Sequence, residues 1–137
     1  MKYLLDTDVV SQYAKPRRDP RVDAWLDRTD DRDLYISVFT MAELHYGIEK
    51  LPSGKRRVAL EQWLEDDIYD QFFNRIEFFG LDVAKRYAML MARAEESGYH
   101  PGVLDTLIGA TAQANGMIVA TLDTKDFRRL GVEVVEF

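Results

Sequence analysis

Short apolar runs alternate with amphipathic stretches along this chain, and the alternation sets the order of its elements. Lys2-Tyr3-Leu4-Leu5 reads as a buried strand, and Thr7-Asp8 opens a short helix carrying Val9, Val10 and Tyr13. Pro16 to Pro20 is a basic loop, after which Asp19 or Pro20 begins a helix with Val22, Trp25 and Leu26 on one face. Leu34 to Val38 is a second strand, followed by a helix from about Thr40 to Leu51 that Pro52-Ser53-Gly54 stops. From Ser53 to about Phe73, Leu60, Leu64, Ile68 and Phe72 recur at every fourth position and predict one long amphipathic helix.

Ile76 to Phe79 is expected as a third strand, and Leu81 to Glu96 as a helix with Val83, Tyr87, Leu90 and Ala94 inside. His100-Pro101-Gly102 leads into another helix through Ala114, closed by Asn115-Gly116 in a left-handed cap. A strand at 117–121, a helical turn at 124–129 and a last strand from Val132 to Val135 complete the order. Strands alternating with helices predict one α/β domain over residues 1–137, a sandwich with a mainly parallel sheet.

This order has a chemical consequence. In an open parallel sheet, strand C-termini and the N-termini of the following helices share one edge, where ligands bind. Asp6 and Asp123 follow apolar strand runs, while Glu43 and Asp105 fall in the first turns of helices. Four carboxylates therefore converge on that edge. They repel one another unless a divalent cation holds them, which points to metal-dependent phosphodiester chemistry.

Each acid also has a simpler reading. Asp8 is expected to cap the first short helix, and Thr40-Met41-Ala42-Glu43 matches a capping box in which Glu43 satisfies a backbone donor. Asp105 lies in the otherwise small and apolar stretch Val103 to Ala110, where an unpaired charge is costly. Asp126, three positions after Asp123, is a possible second ligand, a partner for Lys125 or Arg129, or a cap. Ser37, Thr40 and Thr121 are candidates for orienting carboxylates. His45 and His100 have no ligand-spaced partner, which argues against zinc.

Composition narrows the classes further. The 137 residues carry a formal charge of −6, 47% hydrophobic content and no cysteine. Disulfides, thiolate metal sites and cysteine nucleophiles are excluded, and an intracellular compartment fits. No signal peptide and no apolar stretch long enough to span a membrane is apparent, so a cytoplasmic location is expected. The acidic balance argues against general coating of nucleic acid. It leaves room for an enzyme that grips a few phosphates, and basic patches occur at Lys15 to Arg18, Lys55 to Arg57 and Arg128-Arg129.

Four segments taken together carry a resemblance. Leu5-Asp6-Thr7-Asp8-Val9-Val10-Ser11, Ile36 to Leu44, Asp105 to Ala112 and Thr121-Leu122-Asp123-Thr124-Lys125-Asp126-Phe127 resemble a PIN domain, more narrowly the VapC toxins and their FitB-like branch. The resemblance covers nearly the whole chain and implies a PIN-like three-layer sandwich. It implies a Mg²⁺- or Mn²⁺-dependent endoribonuclease acting as the toxin of a toxin–antitoxin pair. Asp6, Glu43, Asp105 and Asp123 match the family's acidic positions, with Asp6, Asp105 and Asp123 expected to contact metal. It further implies a homodimer and a cognate antitoxin that wraps the helices, often with an Arg in the acidic pocket, in a heterotetramer or larger. Asp8 is a departure, since many relatives carry Asn there.

Two other readings remain open at this level. Asp6-Thr7-Asp8 at a strand end also resembles a haloacid-dehalogenase-like phosphatase with Asp6 as nucleophile, although Asp123-Thr124-Lys125-Asp126 fits its late motif poorly. A catalytically inactive PIN-like scaffold that only binds a partner is the other.

Overall fold

The computed structural model describes residues 1–137. Its centre is a four-stranded, wholly parallel sheet of β1 (Tyr3–Leu5), β2 (Leu34–Ser37), β3 (Ile76–Glu77) and β4 (Ile118–Ala120), in the order β3-β2-β1-β4. β1 pairs on one side with β2, Leu5 opposite Ile36, and on the other with β4, Leu5 opposite Ala120. The order of strands reverses direction between β1 and β4, so the switch point lies at that seam.

The period of two in the strands divides the core. Leu5 and Ala120 face one apolar cluster with Val9, Val10, Trp25, Ile36 and Leu64, while Leu4 and Val119 face the other with Leu90, Ile108 and Phe127. The first cluster is roofed by α1 (Thr7–Val10), α2 (Pro20–Asp27), α3 (Val38–Glu49) and the helical run from α4 (Lys55–Gln62) to α5 (Tyr69–Gln71). The second is covered by α6 (Leu81–Glu96), α7 (Val103–Ala114) and α8 (Thr124–Arg129). Helices on both faces of one sheet make three layers, the expected sandwich.

Four local expectations are corrected. The helix over 53–73 starts at Lys55, after Gly54 at φ +155°, and passes through a π-helical segment, Trp63–Ile68. Apolar residues at intervals of four overshoot a 3.6-residue turn by about 40° each time. Widening the turn returns the buried Leu64, Ile68 and Phe72 to one face. α3 begins at Val38, because Ser37 and not Thr40 caps it: Ser37 Oγ accepts the Thr40 N–H at 3.1 Å. This earlier start carries Met41, Leu44 and Ile48 into the core and frees Glu43 from a capping role.

The strand over 76–79 is paired only at Ile76–Glu77, and Phe78 and Phe79 are exposed. The last strand reduces to a single bridge, Val134 beside Val119, with Val119 N–H donating to Glu133 and Val135 N–H donating to Val119. Packing governs this segment more than a ladder does. Val132 is buried against α7 and Val135 joins the opposite cluster.

The seat of α7 is tight at Gly109, where a Cβ would lie 2.9 Å from Val132 Cγ2 and 3.8 Å from Phe127. Val132 is stiff at χ1 and has little room to yield. Gly109→Ala gains helix propensity of up to about 1 kcal/mol but suffers overpacking of about 1–3 kcal/mol. Net destabilisation of roughly 1 kcal/mol is expected. A lower urea midpoint at unchanged m-value would show it; an equal or higher midpoint would mean that Val132 moves freely.

Candidate active site

Asp6 follows β1 at the switch point, and its N–H donates to the Ala120 carbonyl at 2.9 Å, so the pairing with β4 fixes where its side chain emerges. The carboxylate is buried, 6% exposed, with both oxygens engaged. Oδ1 accepts the Thr7 N–H at 2.8 Å and Oδ2 accepts the Thr121 hydroxyl at 2.8 Å. Thr121 Oγ1 in turn accepts the Asp123 N–H at 2.9 Å. On the other side, the Thr7 hydroxyl donates to Glu43 Oε1 at 2.6 Å, with Thr40 Oγ1 3.3 Å away. One chain of hydrogen bonds and adjacent residues thus ties β4, β1 and α3 together at this edge.

Asp8 is not the helix cap that its position suggested. Asp6 occupies the cap of α1, while Asp8 Oδ2 accepts the Leu122 N–H at 3.1 Å across the β1–β4 seam. Its other oxygen is buried without a hydrogen-bond donor. Asp105, in the first turn of α7, Asp123 and Asp126 offer carboxylate oxygens all within 4.8 Å of one another. Asp126, for which a second-ligand role, an ion pair or a cap was open, therefore belongs to the acidic group. Of the orienting candidates, Thr121 and Thr40 join the network and Ser37 serves as a cap. Thr7 is the functional residue that sequence reasoning passed over; its place between Asp6 and Asp8 was the available signal.

The electrostatics are one-sided. No Lys, Arg or His pairs with Asp6, Asp8, Glu43, Asp105, Asp123 or Asp126. Burial, then the charge of Asp8, pushes the Asp6 carboxyl up to about 7. Burial, followed by Asp123 and Glu43, raises Asp105 to about 6. Asp8 is raised by its loss of hydration, and Asp123 by the same cause and then by contact with Asp126. A group of acids without a counter-charge, all oxygen donors and with one buried Asp8 oxygen unpartnered, fits a hard divalent cation.

Fold and site together define a parallel α/β domain with an acidic centre at its switch point. The PIN domain family model matches residues 3–133. The chain is 40% identical over 132 residues to the VapC ribonuclease Y4jK of Sinorhizobium fredii, covering 96% of this chain and 94% of that protein. It is 39% identical over 131 residues to the toxin FitB of Neisseria gonorrhoeae, covering 96% and 94%. The crystal structure of FitAcB from Neisseria gonorrhoeae superposes with a TM-score of 0.91 at 38% identity, covering 98% of this chain and 96% of that one. The chain belongs to the PIN-domain family, alongside VapC and FitB. That membership displaces the phosphatase reading, and the doubly hydrogen-bonded, buried Asp6 makes a poor covalent nucleophile.

Proposed function

We propose that this chain is a metal-dependent endoribonuclease and the toxin of a toxin–antitoxin pair. The observation that carries the reading is the convergence of six carboxylates with no Lys, Arg or His paired to any of them. Asp105 and Asp123, with Asp126 beside them, would hold a Mg²⁺ or Mn²⁺ ion, and the buried Asp6 would add its charge to the site. A divalent cation held there would supply charge neutralisation for a phosphodiester and a more acidic water as nucleophile. Glu43, held by Thr7, orients that water and accepts its proton. Thr121 keeps Asp6 and the Asp123 backbone in fixed relation, so the acids need little reorganisation during the reaction.

Partners follow from the relatives. Solved neighbours include FitAB bound to a DNA fragment, at a TM-score of 0.90 and 38% identity. By extension, this chain binds a cognate antitoxin. A cavity of about 550 Å³ that reaches from Thr7 and Glu43 to Leu44, Leu60 and Trp63 suits an antitoxin segment, with Glu43 available to a basic side chain. The exposed Phe73, Phe78, Phe79 and Leu81 support a homodimer. No helix is long and apolar enough to cross a membrane.

The test is incubation of the purified protein, free of antitoxin, with total RNA in Mg²⁺, Mn²⁺ or EDTA. Discrete fragments in the metal lanes and intact RNA in EDTA are expected. Intact RNA in every lane, with the metal-loaded fold verified, would leave a partner-binding scaffold instead.

A further inference from the structure

A second cavity, about 750 Å³ in volume, lies between α6 and the end of α8, reaches the C-terminal end of α7 at Gln113 and the start of β4 at Ile118, and is lined by none of the six acids of the candidate site. Its wall carries Arg86, Arg93, Arg128 and Arg129 against a single glutamate, Glu133. In a chain of net charge −6, this is a local reversal of sign. Arg128 pairs with Glu136, whereas Arg86 and Arg93, seven positions apart on α6, make no ion pair or hydrogen bond. Two uncommitted guanidinium groups, a full heptad apart on one helix, are free to meet anionic groups.

α8 joins this cavity to the acidic centre. Asp126 belongs to the acidic group, and Arg129, one turn further, belongs to the cavity. The Arg129 guanidinium lies 3.7 Å from the centroid of the Tyr99 ring. Tyr99 is close enough to both for its hydroxyl to feel the acids Asp126, Asp105 and Asp123 as well as Arg129. The exposed Arg129 guanidinium, backed by the Tyr99 ring, offers a flat face for a base, and the arginines of the cavity offer charges for its phosphates.

We propose that this cavity receives the RNA strand on one side of the cleaved bond, with Arg86 and Arg93 gripping phosphates and Tyr99 with Arg129 supporting a base. The inference rests on the ribonuclease reading and adds a path for the substrate. An acidic peptide would satisfy the arginines but has no use for the stacked pair. The volume is within the range of sites that enclose a small molecule, which suits one or two nucleotides more than a bare phosphate.

The test compares Arg86→Gln/Arg93→Gln with the parent in binding a fluorescent single-stranded RNA, both carrying Asp105→Asn so that Mg²⁺ can be present without cleavage. Two lost phosphate contacts reduce the salt slope of log K by about 1.4 and lower affinity about 25-fold at 0.1 M salt. Arg86→Lys/Arg93→Lys keeps the slope. In the active background, the glutamine pair raises KM for long RNA and leaves kcat on a minimal oligonucleotide unchanged. Equal affinity and slope in all variants, with wild-type protein still cleaving RNA, would overturn the path and leave the nuclease intact. A loss confined to binding of a poly-glutamate peptide would overturn it in favour of a protein partner. Failure of wild-type protein either to bind or to cleave RNA would remove the ribonuclease reading, and this inference with it.

Discussion

Asp105→Asn is expected to abolish metal-dependent RNA cleavage while raising the melting temperature of the metal-free protein. The two effects share one cause. Asp105 stands within 4.8 Å of Asp123 and Asp126, and its carboxyl is pushed up to about 6 by burial and then by Asp123 and Glu43. Removing its charge takes away one attractive partner of the cation. Two unit charges 4 Å apart at an effective dielectric constant of 20 attract by about 4 kcal/mol, which corresponds to roughly a thousandfold in affinity. Cleavage at millimolar Mg²⁺ should fall by the same order. Without metal, the same substitution relieves repulsion in a cluster that has no positive partner. An inactive variant that melts higher in EDTA and is no longer stabilised by added Mg²⁺ is the expected pattern. Lost activity with a lower melting temperature would mean that Asp105 supports the fold instead, and unchanged cleavage would remove it from the site.

The opposite signs separate chemistry from folding, and they reflect how the site is built. The hydrogen-bond chain from Asp123 through Thr121, Asp6 and Thr7 to Glu43 spends polar contacts on holding acids together. Nothing on the protein side neutralises them. Such an arrangement costs stability unless a bound cation offsets the repulsion.

Much of this was legible in the sequence because periodicity reports burial. The apolar runs at Leu4-Leu5 and Val119-Ala120 and the spacing of Val83, Tyr87, Leu90 and Ala94 in α6 led to correct elements, and the parallel topology places Asp6, Glu43, Asp105 and Asp123 near one another. What periodicity does not carry is competition among equivalent local partners. Ser37 and Thr40 are both good caps, and burial of α3 residues decided for Ser37. Asp6 and Asp8 are both able to cap α1, and the β4 seam, 113 or more residues away in sequence, claimed Asp8 through Leu122. Thr7 was passed over for the same reason: its partner Glu43 lies on a different element, 36 residues on. Asp126 belongs with Asp105 only after α8 has packed through the buried Phe127 beside α7. The arginine cavity was visible only as Arg128-Arg129, since Arg86 and Arg93 join it through folding.

The metal-free protein should lose stability as pH rises from about 4 to about 7, with Asp6 as the principal cause. Its carboxyl is raised to about 7 in the fold by burial, then by Asp8, against an ordinary value of 3.8. Between those values the native protein keeps the proton that the unfolded chain has released, so each step up in pH favours unfolding. The contribution is fully present below about 4 and gone above about 7. A separation of about three units in a buried group amounts to roughly 4 kcal/mol, as an order of magnitude. Asp8, Asp105 and Asp123 are shifted in the same direction and add to the slope. Asp6→Asn should flatten this pH dependence and stabilise the metal-free protein at pH 7 to 8. Its carbonyl oxygen can still accept the Thr7 N–H, and its amide can donate to Thr121, whose hydroxyl then turns to Asp8 Oδ2, already 3.3 Å away. Urea unfolding in EDTA at pH 5, 6, 7 and 8 measures both proteins. Parallel curves for wild type and Asp6→Asn would show that Asp6 is ionised in the native state throughout. A wild-type slope that Asp6→Asn reduces, and that saturating Mg²⁺ also reduces, would tie the buried carboxylate to the proposed cation site.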